Sequence, residues 1–562
     1  MNEYNKILKK YFGYSSLKEE QYTVIDNIIN NKRDVCAILA TGFGKSICYQ
    51  LPVLISKKSV IVICPLIALM KEQGDEMITK GIPVCVFNGD TSKEDIELYE
   101  NELFAGEHKL IYMTPEYFIK SKKLVKKLEK VENLCMICVD EAHAVSTWGL
   151  DFRPSYTQLN IIKEWVNVPI LTLTATASAK VREDIQNILN MDNPLELIGN
   201  FDRPNLFIKI LPKKTNIIDD ISDLLKKYKD DYVIIYCKTR DETEKVAQLI
   251  NAEGIECYAY HAGLKSSMRN DTQQNFNDGT YKCIVATIAF GMGINIPNVR
   301  LVIHYNCPKN IESYYQEIGR AGRDGKPSEC YLFYSNKDFV VNRYFLKSIQ
   351  NPVYKNYQEE QVRFIEKYIY TDECRRKIIL KNFNQEVENC TNCDNCLRNK
   401  QDIKKVEYSR QLYLFLGLLK RINDKFGMTT IINILIGKGS IKDILKTNVE
   451  FGEGLNYGNL EWWKIFTRTL INEDLIKENQ VTGFFGSTIS LTTKGVKLIN
   501  SLKNKYKEFE DLQKEKSNIS DCYLSEIIYT KETKKSKTTK DKIKVIKKTT
   551  VIKNKNVVIE ED

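Results

Sequence analysis

Four short stretches of this 562-residue sequence combine residue types that could do chemistry. The first is Leu39-Ala40-Thr41-Gly42-Phe43-Gly44-Lys45-Ser46, set between an apolar, strand-like VCAIL and a helix-like ICYQLPVL. A glycine-rich turn at a helix N-terminus lets backbone N–H groups approach a phosphate, and the helix dipole favours its charge. Thr41, Gly42 and Gly44 would line such a cradle, Lys45 would reach the β- and γ-phosphates of ATP, and the Ser46 hydroxyl would help to hold Mg²⁺. The strict loop pattern has glycine where Leu39 stands, so this is a variant of it. In the second stretch, Asp140-Glu141-Ala142-His143 follows the apolar LCMICV. Two carboxylates at the C-terminal end of a buried strand stand where open α/β sheets bind ligands. Asp140 would hold Mg²⁺ through water, and Glu141 would orient or deprotonate an attacking water.

The third stretch is Gln316-Glu317-Ile318-Gly319-Arg320-Ala321-Gly322-Arg323-Asp324-Gly325. Phosphoryl transfer needs positive charge on the γ-phosphate oxygens, and arginines reaching across a cleft can supply it. The expected catalytic set is therefore Lys45, Asp140, Glu141, Gln316, Arg320 and Arg323. If the two arginines sit on a second lobe, the cleft must close on ATP and open after hydrolysis. The fourth stretch holds Cys374, Cys390, Cys393 and Cys396, spaced C-x15-C-x2-C-x2-C. Four thiolates suit tetrahedral Zn²⁺ and leave no open position, so the metal is expected to be structural and to contribute to folding. Taken singly, the four also read as a plain strand–turn–helix, a solvated acidic loop, an exposed basic helix and reduced surface cysteines. Their presence in one chain favours the chemical reading.

Elements able to position these residues follow from the hydrophobic pattern. From about residue 30 to 200, short apolar runs alternate with polar, helix-like segments, and a second such series begins near residue 230. Alternation of this kind implies parallel sheets with helices on both faces, so an α/β fold with two parallel-sheet lobes is expected, which the family resemblance given below makes RecA-like. The expected division is a first lobe at 1–205, a second at 206–345, a helical zinc-binding module at 346–405, a compact helical unit at 406–505, which the family resemblance given below makes a winged-helix domain, and a lysine-rich, disordered tail at 506–562. The last compact unit reads as helices finishing in two short strands. The tail segment KETKKSKTTKDKIKVIKK has no helical apolar stripe.

Composition sets broader limits. Hydrophobic content of 43% with 28% charged residues is that of an ordinary globular protein. A net charge of +10 leans towards an anionic partner. The start MNEYNKILKKYFGY has no apolar signal core, and no uninterrupted apolar run reaches the roughly 18 residues of a membrane span. Many of the sixteen cysteines fall in strand-like runs as small hydrophobes. An intracellular, reducing location in nucleus or cytoplasm is expected, without secretion or membrane partner.

With these motifs in hand, the chain resembles the RecQ family of superfamily 2 helicases over roughly residues 5 to 500. Phe12-Gly13-Tyr14-Ser15-Ser16-Leu17-Lys18-Glu19-Glu20-Gln21 is similar to the family's adenine-recognition element. The resemblance implies that Tyr14 stacks on the base, Gln21 reads its edge, and Lys18 contributes where the family usually has arginine. Lysine keeps the charge but lacks the planar fork. Cys64-Pro65-Leu66-Ile67-Ala68-Leu69, Thr114-Pro115-Glu116 and Thr174-Ala175-Thr176 match segments that contact single strands and link hydrolysis to movement. Ala286 to Asn295 matches the second-lobe motif, with Ile296 where a lysine commonly follows.

The segment Val145-Ser146-Thr147-Trp148-Gly149-Leu150-Asp151-Phe152-Arg153-Pro154 resembles the RecQ aromatic-rich loop, which senses single-stranded DNA. Trp148 and Phe152 would stack on unpaired bases, and Arg153 would add cation–π or phosphate contacts. Core burial is the alternative for the two aromatics. The cysteine cluster resembles the RecQ zinc module, and LIKENQVTGFFGSTISLT resembles the winged helix, whose hairpin can wedge duplexes apart. Phe484 and Phe485 would form that wedge, or pack back onto the wing. The resemblance implies an ATP-dependent DNA helicase with 3′→5′ polarity, acting on single-stranded and duplex DNA in repair, recombination or replication, with ATP, Mg²⁺ and Zn²⁺. The alternatives are an RNA helicase and a DNA-binding protein with a degenerate motor.

Overall fold

The computed structural model describes residues 2–107, 109–146, 153–214, 216–291, 296–388, 390–398, 405–422, 425–439, 443–480, 487–506, 511 and 522–525. Trp148, Phe152, Phe484 and Phe485 lie outside the described residues, as do 292–295 of the second-lobe motif. The chain divides into two compact units, Met1–Lys400 and Gln401–Asp562.

Two parallel sheets build the first unit. One contains β1 (Val35–Ile38), β2 (Ser59–Ile63), β3 (Val84–Phe87), β4 (Leu110–Met113), β5 (Leu134–Val139), β6 (Ile170–Thr174) and β7 (Leu195–Ile198), in the order β3-β4-β2-β5-β6-β1-β7. Every residue of β1, β2, β4, β5 and β6 is buried, because helices cover both faces of a parallel sheet. The chain leaves β1 and returns on the far side of β6 and β5, which creates a crevice at the strands' C-terminal ends. Asp34 anchors the opposite end: its buried carboxylate accepts from the backbone N–H of Ile170 and of Asp192, both at 2.8 Å, and from Lys163 Nζ at 2.8 Å.

The second sheet contains β8 (Leu206–Pro212), β9 (Tyr232–Tyr236), β10 (Tyr258–Tyr260), β11 (Cys283–Ala286), β12 (Val299–His304) and β13 (Ser328–Tyr334), in the order β10-β11-β9-β12-β13-β8. After it come helices Asn336–Phe345 and Pro352–Tyr370 and the short helices Arg375–Asn382 and Asp394–Leu397 that carry the cysteines. Cys393 forms a bridge with Ile208 of β8, and the Asp394 carboxylate accepts from Ile210 N at 2.9 Å. The cysteine module is thus an extension of the second sheet's edge.

The second unit packs helices Ser409–Ile422, Met428–Ile436, Leu460–Asn472 and Thr493–Lys505. Its core includes Leu412, Phe415, Trp463 and Phe466, and the strands β15 (Ile476–Gln480) and β16 (Ser487–Leu491) pair antiparallel. Two features depart from the sequence expectation. The unit does not finish in its two strands, since helix Thr493–Lys505 follows them. Nor does it stop at 505: Tyr523–Ser525 (β17) pairs with Lys405–Glu407 (β14), and Cys522 and Leu524 enter the same core. The apolar run Cys522, Tyr523 and Leu524 is too short to register against the polar sequence around it, but pairing with β14 satisfies the backbone of Tyr523–Ser525.

Candidate active site and metal centre

The phosphate loop leaves β1 and turns at Gly42 (φ +80°) and Gly44 (φ +91°) into helix Ile47–Ser56. Both glycines also stand close to neighbouring side chains. A Cβ on Gly44 would lie 2.9 Å from Gln21 Nε2, and one on Gly42 would lie 3.0 Å from Arg323 Cγ. Lys45 bends back towards the Leu39 carbonyl, with Nζ at 3.5 Å. Asp140 and Glu141 leave β5 facing this loop, and Gln316, Arg320 and Arg323, on the helix and turn between β12 and β13, line the same cleft with Thr41, Lys45 and Ser46. The residues expected at the phosphates, magnesium and attacking water therefore converge, although nearly 300 positions separate them in sequence.

Burial dominates the electrostatics. It raises the Asp140 carboxyl, and the neighbouring Glu141 charge adds to the rise. Burial also works to raise Glu141, but the hydrogen bond from His143 and the charge on Lys45 outweigh it and hold this carboxyl low. Glu141 is thereby kept ionised, the state a general base requires. Its backbone sits at φ +48°, a left-handed conformation that costs a non-glycine residue roughly 1–3 kcal/mol and is found at functional sites. His143 Nδ1 lies 3.3 Å from Glu141 Oε2 and 2.9 Å from Thr174 Oγ1, and that hydroxyl donates to the Thr176 carbonyl at 3.0 Å. A polar relay thus joins the acidic pair to the Thr174-Ala175-Thr176 segment.

Opposite stand the arginines. Arg323 is pushed down to about 9 by burial first, then by the charges of Arg320 and Arg203. Arg320 is 6% exposed, and its Nη1 donates to the Gly291 carbonyl. Its Nε and the Thr41 hydroxyl are buried without a hydrogen-bond partner among the described residues. Unsatisfied donors and crowded positive charge at a helix N-terminus suit a polyphosphate. Ser46 and Asp140 offer oxygen donors in the same cleft, the ligand type that Mg²⁺ takes.

Tyr14, 60% exposed, follows Gly13 (φ +76°) and stands clear of the core. Lys18 Nζ donates to the Phe43 carbonyl at 2.8 Å and lies 4.2 Å from the centre of that ring. Gln21 accepts from Lys18 N at 3.0 Å and donates to the Gly44 carbonyl at 3.0 Å. Its amide is thus tied to the phosphate loop, and reading a base edge would require it to exchange that bond. Base stacking on an aromatic face contributes about 1–3 kcal/mol. Tyr14→Ala is therefore expected to raise the KM for ATP by about tenfold with kcat little changed. Steady-state ATPase titrations check this, and an unaltered KM would remove Tyr14 from the nucleotide site. Arg153 donates to the Pro65 carbonyl at 2.8 Å, tying the end of its loop to the Cys64–Leu69 segment.

The sulfur atoms of Cys374, Cys390, Cys393 and Cys396 all lie within 4.8 Å of one another. Four sulfurs about 2.3 Å from one Zn²⁺ would stand about 3.8 Å apart, so the cluster fits the ion. Cys374 and Cys393 each cap a helix, accepting from Lys377 N and Cys396 N at 3.4 Å. Such hydrogen bonds favour the thiolate that a metal needs.

Two parallel-sheet lobes with a phosphate loop and acidic pair on one and arginines on the other define a nucleotide-driven motor. The sequence matches the family models for DEAD/DEAH box helicase over residues 18–185, helicase conserved C-terminal domain over 216–325, RecQ zinc-binding over 336–397 and RQC domain over 402–516. It is 35% identical over 492 residues to the ATP-dependent DNA helicase RecQ of Haemophilus influenzae, covering 86% of this chain and 78% of that protein. It is 40% identical over 507 residues to a protein of Acanthamoeba polyphaga mimivirus named as an ATP-dependent RNA helicase, covering 87% of this chain and 91% of that one. It is 36% identical over 519 residues to the bifunctional 3′-5′ exonuclease/ATP-dependent helicase WRN of Mus musculus, covering 87% of this chain but 36% of that protein. The chain belongs to the RecQ family of superfamily 2 helicases. It is an ATP-dependent DNA helicase that uses Mg²⁺ with ATP and carries a RecQ zinc-binding module. Among the described residues no helix is long and apolar enough to cross a membrane.

Arg203, in the segment between the two sheets, is a cleft residue that the motifs did not reveal. Its guanidinium donates to carbonyls of both the phosphate loop and the arginine turn. A lone arginine in FDRPNL carries no spacing signal that would single it out.

Proposed function

We propose that this protein unwinds duplex and branched DNA, moving 3′→5′ along one strand at the expense of ATP. The observation that supports this most is the order of its parts: a two-lobed motor followed by regions matching RecQ zinc-binding and RQC domains. In this reading Lys45 draws charge from the β- and γ-phosphates, while Ser46 and Asp140 hold the magnesium. When bound, that ion neutralises phosphate charge. Glu141 orients the attacking water and takes its proton, and Gln316, Arg320 and Arg323 face the γ-phosphate, where charge develops. The His143–Thr174–Thr176 relay carries the state of Glu141 to the strand-contacting segments. Trp148, Phe152 and Arg153 hold single-stranded DNA, and Phe484 and Phe485 part the duplex. The protein works inside the cell, in nucleus or cytoplasm, during repair, recombination or replication.

Strand displacement on forked, tailed and four-way DNA tests the proposal, with Lys45→Ala as the inactive control. ATP-dependent displacement from 3′-tailed substrates, lost in the control, is expected; displacement from 5′-tailed substrates alone would reverse the polarity. Binding without ATP turnover would leave only a DNA-binding protein. The name borne by the mimivirus relative favours RNA as the second reading. Matched DNA and RNA single strands decide between them by which stimulates hydrolysis.

A further inference from the structure

The segment between β7 and β8 is held from both sides. From one side the cysteine module grips it residue by residue. Gln385 accepts from Phe201 N at 2.9 Å and donates to the Gly199 carbonyl at 2.7 Å. Asn392 donates to the Pro204 carbonyl at 2.9 Å, and Phe383 stacks on Phe201 with centroids 4.6 Å apart. Arg376 donates to Asp202 through Nε at 3.0 Å and also through Nη2, while its Nη1 lies 3.5 Å from Cys390 Sγ. One guanidinium therefore spans a zinc-type thiolate and the residue next to Arg203.

On the other side Arg203 enters the cleft between the sheets. A guanidinium has five N–H donors in a rigid fork, and five acceptors surround this one. They are the carbonyls of Thr41 (3.4 Å), Gly319 (3.3 Å), Ala321 (2.8 Å) and Gly322 (2.8 Å), and Asn205 Oδ1 (3.4 Å). One carbonyl belongs to the phosphate loop and three to the turn that bears Arg320 and Arg323. Partly burying a charge against carbonyls costs free energy; what it secures here is a fixed distance between loop and turn. The contact is tight, since a Cβ on Gly319 would lie 3.2 Å from Thr41 Cβ.

We propose that Arg203 is a positioning residue for ATP hydrolysis, setting the Gly319–Gly322 turn against the phosphate loop, and that the cysteine module holds it through Arg376 and Asp202. This role rests on the placement of Arg320 at the γ-phosphate. Lysine keeps the charge of Arg203, but one ammonium cannot span four carbonyls on two lobes.

The test measures kcat and KM for ATP at saturating single-stranded DNA, zinc content and melting temperature, in Arg203→Lys, Arg376→Ala, Arg320→Ala and the Arg203→Lys/Arg320→Ala pair. A displacement of about 1 Å at a reacting group can cost about 100-fold in rate. Arg203→Lys is therefore expected to lower kcat by about 10- to 100-fold, with KM changed by less than about threefold. Arg376→Ala is expected to lower kcat by about 3- to 10-fold while zinc is retained. The double variant should be no slower than Arg320→Ala, because Arg203 acts through that turn. Hydrolysis by Arg203→Lys within about twofold of the parent, or multiplicative slowing in the pair, would overturn the role. If Arg203→Lys fails to fold, Arg376→Ala leaves the Arg203 fork in place, and its unchanged kcat would overturn the proposal equally. A parent chain without ATPase activity would overturn the reading of the site itself.

Discussion

Arg320→Ala is expected to slow ATP hydrolysis by about 1,000-fold or more, with the KM for ATP changed only a few-fold. The side chain is buried, is fixed through the Gly291 carbonyl and keeps a buried Nε without a partner among the described residues. A buried donor without a protein acceptor is a cost, because an unsatisfied buried group forfeits roughly 1–3 kcal/mol. The cost is recovered when an oxygen arrives, and most fully when charge accumulates on the γ-phosphate, so the loss falls on kcat. A rate factor of about 1,000 corresponds to about 4 kcal/mol of transition-state stabilisation, within what a charged donor in a dry site supplies. Arg320→Lys should recover little, since an ammonium reproduces neither the fork nor its reach. Single-turnover hydrolysis with Mg-ATP is the direct measurement. A variant hydrolysing within about threefold of the parent would remove Arg320 from the reaction.

The second large effect is expected on removal of zinc. Cys393→Ser, or a strong chelator, should release one zinc per chain and lower the melting temperature by more than about 5 °C. Cys393 is fully buried, caps helix Asp394–Leu397 and bridges to Ile208 of β8. The adjoining Asp394 accepts from Ile210 N and pairs with Arg375 at 2.9 Å. Losing the ion leaves thiols clustered at a sheet edge that depends on them for its outer partner. Structural zinc sites carry roughly 10–16 kcal/mol of apparent binding free energy in small peptides, and even a fraction of that is large beside a domain's stability. Elemental analysis and thermal melting with and without chelator provide the check. A folded, unoxidised preparation lacking zinc, or one whose melting is indifferent to the chelator, would refute the site.

Both effects fall on residues that were legible in the sequence. The phosphate loop was legible because its backbone demands glycine: at φ +80° and +91°, with neighbours within about a van der Waals contact, few other residues serve. The acidic pair and the cysteines were legible for a related reason, since charge and metal ligation need particular atoms at short, regular spacing. Alternating apolar runs likewise announced two parallel sheets. The end of the second unit was harder to read. The short segment Tyr523–Ser525 becomes a strand only because β14, more than a hundred residues earlier, offers it an edge.

What the amino-acid sequence determined by itself, then, was the identity of the reacting groups and the type of sheet that carries them. Only the tertiary structure decided how those groups are held in register. Gln21 rests on Gly44, His143 on Thr174, and Arg376 on Asp202. Arg203 reaches Thr41 and the 319–322 turn. These contacts join positions up to about 170 residues apart, and most of the acceptors around Arg203 are backbone carbonyls. Every residue carries a carbonyl, so no letter of the sequence marks the ones that matter; only the folded path of the chain brings them together.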